Sequence, residues 1–425
     1  MELAVLVGTL AGTLAIGLPL PFSLGAASLA ALIAMGGMPL TVIPQRFIAG
    51  INSFAFMAIP FFLLVGQIMN ESGITRRIIN LSNSLVGHLP GGLAQVNVVS
   101  SMFFGGISGS ATADTASIGS ILIPAMKREG YDADFSVALT ACSSTCGPII
   151  PPSITLIIYG IVAEVSITQL FLGGYVPGLM LGFGLLAASI VISKRRGYPV
   201  YERSSLAKTW RTFREASWAV VLPFLILGGL LGGVFTVTEA AGVAVVYALF
   251  VGMFVYRDLR PSQLPGILFD TAVRAGTLMT VAAGALVFAW VLTILEVPQT
   301  VAGWIFSLTD DRLLILLLLN LLFLLIGMFM EAKAALLILL PVILPVLPEV
   351  GIDPIHFGVV IVFNLLVGLI TPPVGLCLNL AAKLGDVSLN RAAVAALPFV
   401  GVQLIVLFLI TYVPALVLWL PSFLD

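Results

Sequence analysis

Apolar residues fill this chain in long runs, and polar or helix-breaking residues cluster between them. Runs of about 20 apolar residues suit helices crossing a hydrocarbon core of about 30 Å. Spanning helices are predicted at 2–18, 21–38, 53–70, 133–165, 171–193, 217–235, 238–256, 276–296, 355–383 and 391–420. Two further stretches, 91–127 and 312–347, are too long for one span. Each is interrupted near its middle, by GGISGSATAD from Gly105 and by GMFMEAK from Gly327. Non-helical backbone persists at membrane depth only where protein or water covers it, because each unsatisfied amide in hydrocarbon costs several kcal/mol. Both stretches therefore read as re-entrant helical hairpins with tips facing a cavity. The expected fold is an all-α polytopic membrane protein of about ten spanning helices plus two hairpins.

Composition agrees: of 425 residues, 60% are hydrophobic and 9% charged, against about 25% charged in an ordinary soluble domain. No sizeable soluble domain fits. The formal charge of −1 gives no ground for a nucleic-acid partner. Cys142, Cys146 and Cys377 lie in apolar stretches without the spacing of a disulfide framework or metal site. The N-terminus carries Glu2 and no basic segment, so its first apolar run reads as a retained helix. Seven Lys and Arg residues between Lys194 and Arg214, against Glu202 and Glu215, mark that loop as cytoplasmic. Counting outward from it places both termini outside, Lys127 and Arg128 inside, and Asp310, Asp311, Glu349 and Asp353 outside.

Sliding the chain on itself by 221 positions aligns Gly106 with Gly327, Pro124 with Pro345, Gly130 with Gly351, Asp132 with Asp353 and Gly147 with Gly368. It also aligns Pro151 and Pro152 with Pro372 and Pro373, without a gap. Each half runs hairpin, Gly-x-Asp turn, helix, then a break reading GPIIPPS or GLITPPVG. With the hairpins entering from opposite faces, this is an inverted-topology repeat, which places substrate and ion sites near the midplane. The organisation expected is 1–90 scaffold helices and arm, 91–165 transport half one, 166–275 scaffold helices and cytoplasmic loop, 276–390 transport half two, and 391–425 C-terminal helix. Segments 71–90, 257–275 and 297–311 mix charged and apolar residues and read as arms along the membrane surface.

The chemistry follows from the breaks. Consecutive prolines open the backbone and free upstream carbonyls for a cation. Ser143, Ser144, Thr145 and Ser153 flank the first break, and Asn364 and Thr371 the second, so one sodium site per half is expected. Half-helix N-termini favour a carboxylate, so the substrate reads as an organic anion. Its expected contacts are Ser108, Ser110 and Thr112 at the first tip and the half-helix starts near Ser153 and Val374. Intramembrane ionisable residues are functional by default, which singles out Asp114, Glu331 and Lys333. Mutual neutralisation of Glu331 and Lys333, capping of a half-helix by Asp114, and simple kinking at the prolines are the structural alternatives. No nucleophile–base pair or phosphate-binding loop is recognisable, so an ion gradient, and not catalysis or ATP, is the expected energy source.

The strings SGSATAD, SIGSILIPAM, GPIIPPS, GIDPIHFG and GLITPPVG, in that order, resemble the large membrane subunit of tripartite ATP-independent periplasmic (TRAP) transporters, from Ala58 to the last helix. The resemblance implies sodium-coupled import by an elevator motion. It also implies a small four-helix membrane subunit, encoded separately here, and a periplasmic substrate-binding protein in a bacterial or archaeal inner membrane. Implied substrates are carboxylates such as sialic acids, C4-dicarboxylates and sugar or keto acids. By matching motifs, about two sodium ions would be held. One would lie between the tip Gly105–Thr112 and the break Ser143–Ser153, the other between the tip Gly327–Glu331 and Gly368–Gly375; within these segments the ligands inferred are Gly106, Gly109, Ser143, Ser144, Gly147 and Ile150, and Gly327, Met330, Gly368, Thr371 and Gly375. The runner-up is a stand-alone sodium–dicarboxylate symporter of similar architecture.

Overall fold

The computed structural model describes residues 1–309 and 311–424; Asp310, counted above among the outside acidic residues, and Asp425 lie outside the described residues. The described chain is helical, with no strand. It opens with α1 (Glu2–Ala15) and α2 (Leu20–Met35), then a short α3 (Val42–Ile51) and α4 (Ala58–Glu71). Next come the amphipathic α5 (Ile74–Val86), the pair α6 (Gly92–Ser108) and α7 (Ala111–Arg128), and α8 (Ala133–Ser144) with α9 (Ile154–Val162). The middle holds α10 (Ile167–Arg196), α11 (Leu206–Leu231), α12 (Val237–Phe250), α13 (Leu264–Ile294) and α14 (Val297–Leu308). The second repeat copy follows as α15 (Arg312–Gly327), α16 (Ala332–Ile343), α17 (Val346–Val350), α18 (Pro354–Gly368) and α19 (Leu376–Gly385). The chain ends with α20 (Leu389–Tyr412) and α21 (Ala415–Leu418).

Six of the described helical segments are long and apolar enough to cross a membrane: Phe54–Glu71, Ile167–Arg196, Leu206–Leu231, Val237–Val255, Pro261–Ile294 and Leu389–Tyr412. The sequence pattern anticipated ten spans, two of them, 133–165 and 355–383, broken at their Pro–Pro pairs. The difference is local. Gly17 and Pro19 close α1 at 14 residues, and Gly36 closes α2 at 16. The runs 133–165 and 355–383 are divided where their Pro–Pro pairs remove amide donors. The arm expected over 257–275 is no separate element from Leu264 onward, because nothing between Leu264 and Ile294 stops α13, a single helix of 31 residues.

The two inner helices define the core. Every residue of α8 from Phe135 to Ser144 and every residue of α18 from Ile355 to Gly368 is buried, the pattern of a helix enclosed on all sides. Around α8 pack α6, α7, α19 and α20, and around α18 pack α15, α10, α20 and α9. A second group joins α13 to α2, α3 and α4, and α12 to α4 and α11. The groups meet where α5 and α4 lie on α6 and where α13 lies on α16. At one end, Arg196 bonds Asp132 at 2.7 Å, and the Tyr198 hydroxyl donates to the same carboxylate at 2.7 Å. The end of α10 is thereby fixed to the turn between α7 and α8.

Candidate functional site

Two places where backbone crosses backbone dominate the centre. In the first half α6 ends at Gly109 in a left-handed conformation that glycine adopts without strain. The turn at 109–110 lies on the break between α8 and α9. A Cβ on Gly105 would stand 2.6 Å from Gly147 Cα, and one on Gly109 2.8 Å from the Pro152 carbonyl oxygen. In the second half a Cβ on Gly368 would stand 2.6 Å from Gly327 Cα and 2.7 Å from its carbonyl oxygen. Contacts this close admit only glycine. Both Pro–Pro bonds, Pro151–Pro152 and Pro372–Pro373, are cis.

Polar bridges hold each pair together from behind. Ser101 donates to Ser143 at 3.0 Å, Ser143 to Asn97 Oδ1 at 3.0 Å, and Asn97 to Thr140 at 2.6 Å. Thr115 donates to Ser144 at 2.8 Å, and Gln403 on α20 donates to the Cys142 carbonyl and the Thr145 hydroxyl, both at 3.0 Å. The repeat counterpart of Ser143 is Asn364, whose amide donates to the Asn320 carbonyl at 2.8 Å and to Asn320 Oδ1 at 2.7 Å. Asn320 in turn donates to Thr411 at 3.0 Å. Asn97, Ser101, Thr115, Asn320 and Gln403 escaped the sequence reading. The available signal was a lone amide or hydroxyl within an apolar helix, which in a membrane chain faces a partner helix.

Asp114 is fully buried beside Gly147, and its Oδ1 accepts from the Ser108 hydroxyl. Its Oδ2 has no hydrogen-bond partner. In the second half the buried Asn364 Oδ1 is likewise without a partner, one turn before Gly368. Such unpaired acceptors are costly in isolation. Carboxylate and amide oxygens next to opened backbone form a donor set that fits a hard cation such as sodium.

The expected sodium residues fall into these two places to different degrees. Gly106, Gly109 and Gly147 lie in the first crossing, where a Cβ on Gly106 would be 3.3 Å from the Pro151 carbonyl oxygen. Ile150 lies within the break itself. The hydroxyls of Ser143 and Ser144 are engaged in the bridges behind it. Gly327 and Gly368 form the second crossing. Gly375, at φ 46°, turns back toward the Thr371 carbonyl, and Met330 sits in the loop between α15 and α16 with its amide on the Ile326 carbonyl.

Residues of both halves line a narrow cleft of about 10 Å³, room for about one water: Ser110, Thr112, Pro148 and Thr155 from the first, and Glu331 and Lys333 from the second. Lys333, with its side chain 13% exposed, pairs with Glu331, which is 41% exposed. The cleft thus combines hydroxyls with a partly desolvated lysine whose charge Glu331 balances. Of the other expected substrate contacts, Ser108 is committed to Asp114. Ser153 is buried, donating to the Pro148 carbonyl and accepting from the Leu156 amide at 3.1 Å as the cap of α9. Val374 occupies the turn before α19.

Residues 7–416 match the model of the family described as tripartite ATP-independent periplasmic transporter, DctM component. The isethionate TRAP transporter permease protein DctMQ of Oleidesulfovibrio alaskensis is 42% identical over 97% of this chain, which spans 65% of that relative's length. The sialic acid TRAP transporter large permease protein SiaM of Vibrio cholerae is 40% identical, over 97% of this chain and 96% of the relative. In fold, the chain is similar to the crystal structure of the Alcanivorax borkumensis YdaH transporter, with a TM-score of 0.64 and 16% identity over 92% of this chain and 98% of the other. This chain therefore belongs to the TRAP transporter family as a DctM component, a multi-pass membrane transport protein and not an enzyme.

Proposed function

We propose that this chain is the large membrane subunit of a sodium-coupled secondary importer for an organic anion delivered by a periplasmic binding protein. The observation that carries this reading is the pair of glycine crossings at repeat-related positions, flanking a cleft that joins Ser110 and Thr112 to Lys333. One sodium ion per half would be held beside Asp114 and Gly147 and beside Asn364 and Gly368. The ions would draw each hairpin tip onto its break, so that the cleft forms only when both are bound. The anion would then pair with Lys333 and the two hydroxyls. The names of relatives for isethionate and sialic acid support an organic-anion substrate.

In this reading α6–α7 and α15–α16 are re-entrant hairpins entering an inner membrane from opposite faces, both termini lie outside, and transport proceeds by an elevator motion. The packing supports assigning α10 and α20 to the moving unit with α6–α9 and α15–α19, since both helices lie on α18. The scaffold would then comprise α1–α4 and α11–α13, with α5 and α14 as arms. A small four-helix membrane subunit would extend that scaffold within the lipid.

The test is uptake of a radiolabelled carboxylate into proteoliposomes holding this chain and its small subunit, with and without sodium and the soluble binding protein. Uptake that needs both supports the proposal. Uptake without the binding protein would make the chain a stand-alone sodium symporter, and uptake indifferent to sodium would remove the coupling.

A further inference from the structure

We propose that the groove between α11 and α12 seats one anionic glycerophospholipid, with its phosphate on Arg211 and Arg214 and an acyl chain along Leu225, Val243 and Val246. Two adjoining hollows carry the argument. The first, of about 430 Å³, is a polar cup lined by Arg77, Arg211, Arg214, Glu215, Trp218 and Tyr256. Arg77 is already engaged. It bonds Asp258 at 2.7 Å, with its guanidinium 3.9 Å from the centre of the Tyr256 ring. Arg211 bonds Glu215 at 3.0 Å, whereas the Arg214 guanidinium has no partner among the described residues. Three guanidinium groups against Glu215 and Asp258 leave one positive charge, the complement of a phosphodiester.

The second hollow, of about 800 Å³, is a mostly apolar trough between the same two helices, lined by Leu225, Phe235, Val243, Val246 and Phe250, with Glu239 at its far end. The hollows adjoin across one α11–α12 hydrogen bond. Trp218 lines the cup, Tyr247 lines the trough, and the Tyr247 hydroxyl donates to the Trp218 carbonyl at 2.8 Å. Trp and Tyr at such a junction mark the level of lipid headgroups. Val243 lies 12 residues before Val255, about 18 Å along the axis, close to the depth of about 15 Å of one leaflet's hydrocarbon. Basic pockets at the cytoplasmic ends of membrane helices recognise anionic headgroups in this way. The cup belongs to the segment whose basic residues mark the cytoplasmic face.

The full chain, purified in detergent, is titrated with phosphatidylglycerol or phosphatidylcholine of identical acyl chains, and retained lipid is counted by native mass spectrometry. The wild type should retain one phosphatidylglycerol at a concentration about thirtyfold lower than phosphatidylcholine, the scale set by two basic residues near a membrane surface. R211Q/R214Q should erase that preference. Gly242 lies in the trough, and a Cβ there meets nothing within 4 Å, so G242W should fill the trough without disturbing the helix and weaken retention of both lipids. Equal retention of the two lipids by the wild type, or an unchanged preference in R211Q/R214Q, overturns the proposal. So does chain-free glycerophosphoglycerol binding as tightly as the lipid, or displacement of the lipid by the small membrane subunit.

Discussion

Gly368→Ala tests the crossing of the second tip on its break. Gly368 ends α18, and in an isolated helix alanine there would be favoured by up to about 1 kcal/mol. The tertiary contact reverses this. The added Cβ would lie 2.6 Å from Gly327 Cα, against the 3.4 Å at which ordinary contact begins. The Gly327 carbonyl carbon is nearer still, so tip and break must separate by at least about 0.8 Å, beyond the ~0.5 Å within which a binding constellation tolerates displacement. Both walls are backbone and no side chain can rotate away, so overpacking of about 1–3 kcal/mol is expected. If sodium draws the tip onto the break, that strain enters the binding equilibrium and weakens sodium affinity about 5- to 150-fold.

Thermal unfolding of purified protein titrated with sodium at constant ionic strength reads this directly, since stabilisation follows RT ln(1 + [Na⁺]/Kd). Gly327→Ala should show a milder effect. Its Cβ would meet the Leu365 carbonyl oxygen at 3.1 Å and Gly368 Cα at 3.3 Å, which a few tenths of an ångström relieve. Gly401→Ala, in α20 with nothing within 4 Å of its added Cβ, should leave the sodium response unchanged. A G368A protein that elutes as a folded species and titrates with wild-type sodium affinity would refute the reasoning.

Three further outcomes are expected. Lys333→Gln should raise the substrate concentration for half-maximal uptake in proteoliposomes by about 10- to 100-fold, the worth of a charged hydrogen bond, while leaving sodium-dependent thermal stabilisation unchanged. Asn364→Leu should destabilise the protein by about 1–3 kcal/mol and abolish part of the sodium-induced Tm shift. Asn320→Leu, which removes the Oδ1 partner but spares Asn364 Oδ1, should lower Tm with that shift intact. At the end of α10, the Tyr198 hydroxyl, followed by Arg196, holds the Asp132 carboxyl below its usual range. Because the folded pKa is the lower one, this contribution is full above about pH 4 and is lost as pH falls through the folded value. Tyr198→Phe should therefore lower Tm at pH 6, with the gap to wild type closing below pH 4 in a series of melts.

Membrane character, the order of helices, the two interruptions and the repeat were all legible in the sequence, because each is a local property. An apolar run fixes a buried helix, a Pro–Pro pair removes amide donors wherever it stands, and a repeat is an alignment of the chain with itself. The same locality explains the misjudged elements. Hydropathy carried the first two helices to 18 and 38, since an apolar average does not register the stops at Gly17 and Gly36. It also divided α13 at its charged residues, Asp270 and Arg274, which a helix accepts at a membrane boundary.

The tertiary structure alone decided which backbone lies against which. That Gly105 crosses Gly147 and Gly327 crosses Gly368 depends on approaches between segments about 40 residues apart, and no hydrophobic period encodes such a distance. The same holds for Asn320 meeting Asn364, for Gln403 reaching back 258 residues to Thr145, and for the cleft that joins Ser110 to Lys333. The commitment of Ser108 and Ser153 to intramolecular hydrogen bonds was equally out of view. A hydroxyl at a helix break suits a ligand or a cap on sequence grounds alike, and only the position of its neighbours selects between them. Sequence thus determined where this chain must bend and which groups stand free at the bends; close packing of distant segments determined which of those groups remain available to an ion or an anion.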